Sequence, residues 1–179
     1  MSDRHETDGS PDGATGQSTT DAAVDWREAV TVERLRYAAA GLAFVVAALH
    51  LFHPDLGFFR LIRIFATDPA LLASEPRPLA FVLSAFAILA GVNAAVLGAP
   101  RRPLYVAGMI MMATYAIGYV AWHYYGHGGF LPAREPHYHD AAPLELVVSH
   151  LMDDTWAAAS MTVELVLFAL LAVLLLTDR

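Results

Sequence analysis

Pro78-LAFVLSAFAILAGVNAAVLGAPRRPLYVAGMIMMATYAIGYVA-Trp122 is two apolar runs joined at one polar knot. Neither Pro78 to Gly98 nor Leu104 to Trp122 holds a charged side chain. Between them, Gly98-Ala-Pro-Arg-Arg-Pro103 supplies a turn. Pro103 is placed to open the next helix, because a proline in the first turn gives up no hydrogen bond that the helix would have made. A hydrocarbon core about 30 Å thick needs about 20 mostly apolar residues per crossing, and both runs have that length. Inside a bilayer the backbone must satisfy its own polar groups, so runs of this kind form helices. The pair reads as an antiparallel transmembrane hairpin.

Outward from this hairpin the same pattern recurs at Leu35 to Phe52, closed by Pro54, and at Trp156 to Thr177. The expected fold is all-α: a four-span transmembrane helical bundle over residues 26–179, with spans at 35–52, 78–98, 104–122 and 156–177. Composition agrees, at 56% hydrophobic against 16% charged with positive mean hydropathy. Residues 1–25 differ. Asp3, Glu6, Asp8, Asp12, Asp21 and Asp25 against Arg4 give this stretch -5 of the net -7. Rich in Gly, Ser, Thr and Asp, it is expected to be a disordered cytoplasmic tail. The first apolar stretch begins only near Leu35, so no cleaved signal is expected.

Arginines set the orientation, since the chain has no lysine. With both termini cytoplasmic, Arg27, Arg34, Arg36, Arg101, Arg102 and Arg179 lie inside, and Arg60, Arg63, Arg77 and Arg134 outside. Two of the outer four belong to Gly57-FFRLIRI-Phe65, where Phe59, Ile62 and Phe65 recur near helical spacing, as in a helix lying flat in the interface. The net charge of -7 makes nucleic acid an improbable partner. The expected partners are the lipid bilayer and either other subunits of a membrane complex or further copies of the chain.

In this topology every histidine but His5 reaches one membrane face, accompanied by Asp55, Asp140, Asp153 and Asp154. His50 and His53 stand three apart, His123 and His127 four apart, and His150 lies three before Asp153, so each set can share a helix face. His137 and His139 alternate along the loop that follows the third span. With no cysteine in the chain, any metal must be held by nitrogen and oxygen. The candidate ligands are His123, His127, His137, His139, His150, Asp153, His50 and His53, a set suited to copper or zinc. His123, His127 and His150 are expected to matter most, because the spans hold them, with His137 and His139 closing over them. The competing reading is an interfacial belt in which histidines sit beside Tyr119, Trp122, Tyr124 and Tyr125 without a ligand, in a non-catalytic membrane scaffold subunit. A further alternative is an electron-transfer subunit with haem b held axially by His50 and His123.

Glu164 falls eight residues past Trp156, about 12 Å into the last span. A carboxyl at that depth faces the bundle interior and marks a proton, ion or ligand path, or else serves as interhelical glue. Matching depths make Tyr115, Thr114 and Ser84 its expected partners. The one histidine followed by glutamate, His5, has Gly9 where the zinc-protease HExxH motif needs its second histidine, so that motif is excluded. The His123–His127 spacing resembles one box of the membrane desaturases and hydroxylases, but their second box needs an HH doublet that this chain lacks. P-loop, dinucleotide and nucleophile-elbow patterns are missing too.

Overall fold

The computed structural model describes residues 18–131, 134–137 and 142–178, the side chains of 18–30 and 143 excepted. Six helices, a short 3-10 turn and no strand are found among them: α1 Ser18–Leu51, α2 Phe58–Thr67, the turn Pro69–Ala73, α3 Arg77–Val96, α4 Arg101–Tyr124, α5 Pro143–Asp153 and α6 Thr155–Thr177. Helices α3, α4 and α6 are long and apolar enough to cross a membrane. They coincide, within a few residues at each end, with three of the apolar runs.

Helix α1 starts well before Leu35. It takes in residues 18–25, which the composition assigned to the tail; residues 1–17 lie outside the described residues. The cause is local: no Gly or Pro occurs between Ser18 and Gly41, and Ala, Glu and Arg there favour helix. A break separates α5 from the last helix: α5, opened by Pro143, stops at Asp153 and a new helix starts at Thr155. Asp154 causes the break: its carboxylate accepts from the backbone N–H groups of Trp156 and Ala157, which would otherwise lack partners at a helix start.

The helices surround a narrow core. α1 touches α3 on one side and α6 on the other, and α6 touches α4. Ala39, Ala43 and Val46 on α1 meet Leu167, Leu171 and Leu174 on α6, with Tyr105 and Met112 of α4 closing the group. Spacings of four and three put each set on one helix face. The alanines allow close approach, which matters where lipid provides no hydrophobic drive for helices to associate. Outward faces carry Leu83, Phe86, Ile110, Ile117, Leu165 and Leu176, all exposed. A water-soluble bundle would place polar residues there.

α3 and α4, neighbours in sequence, leave between them a cavity of about 630 Å³ that α1 and α6 also line. At the end of the molecule where this cavity meets Arg36 and Arg101, three helices are tied together. The Arg36 guanidinium donates from Nε to Asp178 Oδ2 at 2.9 Å, and the Tyr105 hydroxyl donates to the same oxygen at 2.5 Å. The Arg36 hydrogen bond holds the Asp178 carboxyl below its ordinary range.

Candidate metal centre

His123 sits in the last turn of α4, His127 in the loop just beyond it, and His150 in the last turn of α5. One ring nitrogen from each lies within 4.8 Å of the others. The ring centroids form a near-equilateral triangle: His123–His127 5.1 Å, His123–His150 4.7 Å, His127–His150 5.2 Å. Tautomer decides what such a triangle can do. His123 Nδ1 lies 2.8 Å from the Tyr119 carbonyl and His150 Nδ1 lies 2.9 Å from the Leu146 carbonyl. A carbonyl only accepts, so Nδ1 is the protonated nitrogen in both rings and Nε2 keeps its lone pair. A backbone carbonyl behind a ligating imidazole fixes its orientation in the same way in metal sites.

His127 is brought in by an unusual backbone. Gly126, His127 and Gly128 have φ of 64, 56 and 88°, three consecutive residues in the left-handed region. For a histidine this costs about 1 kcal/mol, and strain of this kind persists where the surroundings fix the conformation. Here they do. A side chain at Gly128 would overlap the Trp122 ring, whose Cζ3 atom lies 2.5 Å from where its Cβ would be. Trp122 cannot give way easily, because the guanidinium of Arg77 lies 3.7 Å from its ring centre and that of Arg134 4.7 Å. Both arginines bond Glu75: Arg77 from Nε and Nη2 at 2.5 and 2.7 Å, Arg134 from Nη1 at 2.8 Å. Arg134 also donates to the Ser74 carbonyl, and the backbone N–H of His137 donates to the Gly126 carbonyl. The loop is thus fastened to the start of α3. Gly128→Ala is expected to displace His127; if the triangle holds a metal, competition with a chelator should show affinity weaker by about tenfold or more, as losing an orienting partner does elsewhere.

The clamp has a pH dependence of its own. Burial pushes the Glu75 carboxyl up, but hydrogen bonds from Arg77 and Arg134 outweigh it and the net shift is downward. A depressed carboxylate contributes stability that is present above its unfolded pKa and lost as pH falls through the folded one. Proteolysis within the 126–137 loop should therefore accelerate below about pH 4, the ordinary carboxylate range. In Glu75→Gln it should be fast already at neutral pH.

The remaining candidates take other places. His53 Nδ1 accepts from the backbone N–H groups of Asp55 and Leu56, both at 3.1 Å, closing the turn after α1, and its ring edge meets Phe81 and Trp156. Asp153 is exposed, as is His137, whose Nδ1 turns to the Glu135 carbonyl. Neither joins the triangle. His139, the other half of the expected lid, lies outside the described residues together with Asp140.

His50 is buried at 3% exposure, and Glu164 at 4%. His50 Nδ1 lies 3.0 Å from the Val46 carbonyl, while Nε2 is 3.4 Å from Glu164 Oε1. Its ring stacks on Tyr115 (centroids 4.1 Å apart, planes at 22°) and also touches Phe81 at 4.6 Å. The partners expected for Glu164 from matched depth are thereby corrected. Thr114 is exposed and returns its hydroxyl to the Ile110 carbonyl, and Ser84 bonds the Phe81 carbonyl. Tyr115 reaches the pair through its ring. Its hydroxyl is buried without a hydrogen-bond partner.

No protein-family model, curated protein or solved structure matches this chain. The functional reading rests on the geometry.

Proposed function

We propose that this is a small integral membrane protein that binds a transition metal, copper or zinc, at its outer face through His123, His127 and His150, serving metal handling or a redox assembly. One observation carries the reading: three imidazoles meet with ligand atoms within 4.8 Å of one another, and two of them are held by helix carbonyls that leave Nε2 as the donor. Metal–nitrogen bonds of about 2.0–2.1 Å in a tetrahedral site need donors about 3.4 Å apart. Small ring rotations supply that approach. The donor set fits: three neutral nitrogens would leave a fourth position for water or a substrate ligand.

In this reading α1 from Leu35 onward is a fourth span beside α3, α4 and α6. The arginine distribution puts both termini in the cytoplasm, and the acidic amino-terminal segment is a solvated tail there. Reporters at either terminus should then read inside, and one in the loop near Arg134 outside. The haem b alternative has less support, because His50 Nε2 is turned to Glu164 and its ring is packed against Phe81 and Tyr115. Metal analysis and an absorption spectrum of the purified full chain test the proposal. About one copper or zinc per chain without a Soret band is the expected result. A Soret band, or no metal retained after loading with either ion, would overturn it in favour of haem or a scaffold subunit respectively.

A further inference from the structure

We propose that His50 and Glu164 form a proton-binding site inside the bundle, holding one proton between them, and that the cavity ending near Met112 and Leu167 connects this site to the face bearing Arg36 and Arg101. The inference is independent of the metal reading, since it uses none of the three histidines of the triangle.

The pair's geometry sets its proton count. The Val46 carbonyl accepts from His50 Nδ1, so that nitrogen keeps its hydrogen. What remains is Nε2 facing Glu164 Oε1 at 3.4 Å, with both side chains about 5% exposed or less. With no proton between them, a carboxylate would face an imidazole lone pair, a buried charge against a repelling partner. With two, an imidazolium would face a neutral carboxyl, again an unbalanced buried charge. Either state carries the desolvation penalty of an unpaired ion. One proton avoids both, whether it sits on Oε1 as a neutral hydrogen-bonded pair or on Nε2 as an ion pair. The transfer between these forms breaks one O–H bond and makes one N–H bond, with no other change.

Few other groups compete for that proton. Just past the end of α1 the nearest titratable neighbour is His53, whose Nδ1 is engaged with Asp55 and Leu56. α3 presents Phe81 and the Ser84 hydroxyl, α4 presents Tyr115, and on α6 Glu164 is itself the acid. Buried hydroxyls normally have a partner. The unpaired Tyr115 hydroxyl beside the pair is a ready donor to water accompanying the proton. The cavity ends about one turn short of the pair: Met112 and Leu167 line it and stand three residues from Tyr115 and Glu164, so that one turn is the step a proton would have to cross. The far end of the cavity is polar, with Glu33, Arg36 and Arg101.

The test uses the full chain in lipid nanodiscs, with nitrogen-15 NMR of His50 and infrared detection of the Glu164 carboxyl. Between about pH 5 and pH 9, a range covering the ordinary carboxylate and imidazole values, the pair should retain its one proton, seen either as a protonated carboxyl or as a doubly protonated His50. In Glu164→Gln, His50 should be neutral throughout. An ionised Glu164 beside a neutral His50 at neutral pH, or two groups titrating separately near their ordinary values, would overturn the proposal. Should the glutamine variant fail to fold, the wild-type titration decides alone. For access, Gly91 lines the cavity and a side chain added there meets nothing within 4 Å. Gly91→Phe should slow deuterium exchange of the shared proton about tenfold, equivalent to a barrier higher by about 1.4 kcal/mol. Unchanged exchange in a folded variant would overturn the cavity route.

Discussion

Alanine at His123 or at His150 is expected to abolish stoichiometric metal binding, weakening affinity by at least about 100-fold, the upper end of what loss of a mere orienting partner costs. Each substitution takes one of three nitrogens, and the two that remain cannot hold the ion against water and buffer. The scaffold should survive, because the bond lost is from a ring to a carbonyl of its own helix. His53→Ala and His137→Ala are the contrast: neither ring belongs to the triangle, and both should bind metal as wild type does. Affinity should also fall on acidification, because imidazole must be neutral to ligate and a protonated ring cannot bind the ion. Metal retained at full stoichiometry in both His123→Ala and His150→Ala would remove this centre from consideration.

That His123, His127 and His150 would come together was legible in the chain, because apolar helices impose order. His123 closes an apolar run, His127 follows four residues on, and His150 lies just ahead of the next run, so a short connection returns it to the same end. His50 and His53 stand apart from the triangle for a reason spacing does not reveal. They stand three apart, yet His50 turns into the bundle and His53 turns back to cap its own turn. Side-chain direction at a helix end depends on where the chain goes next, here into α2. The loop was harder still. Gly126, Gly128 and Gly129 around His127 favour a tight turn, but nothing in the spacing of Glu75, Arg77, Trp122 and Arg134 announces that they form one clamp. Glu75 and Arg134 are 59 residues apart, and only the tertiary fold brings them within 2.8 Å.

Glu164 shows both the reach and the limit of depth matching. Its place inside the bundle followed from the cost of exposing a carboxyl to lipid, and it is buried at 4% exposure. Partners at matching depth were sought on the second and third spans, where hydroxyl groups lay. Helix α1 supplies the partner instead. α1 and α6 pack directly through the Ala39, Ala43 and Val46 face, and His50 continues that face one turn on. A helix-by-helix view of the sequence shows depth but not which helices adjoin.

That adjacency carries the other large expected effect, on stability. Glu164→Leu leaves His50 Nε2 buried without its partner, and His50→Leu leaves a buried carboxyl facing hydrocarbon. Each is expected to cost about 1–3 kcal/mol, the penalty of an unsatisfied buried polar group, the lower end being usual for hydrogen bonds within membranes. The double variant His50→Leu with Glu164→Leu removes both groups at once. Replacing a buried polar pair by apolar side chains is often neutral or stabilising, so the double variant should unfold closer to wild type than either single one does. Glu164→Gln, whose amide can still donate to Nε2, should be the mildest single change. Thermal unfolding of all four variants in one detergent gives the cycle. Costs that simply add in the double variant would mean that the two side chains do not interact, since only neighbours depart from additivity, and the 3.4 Å contact would then carry no energy.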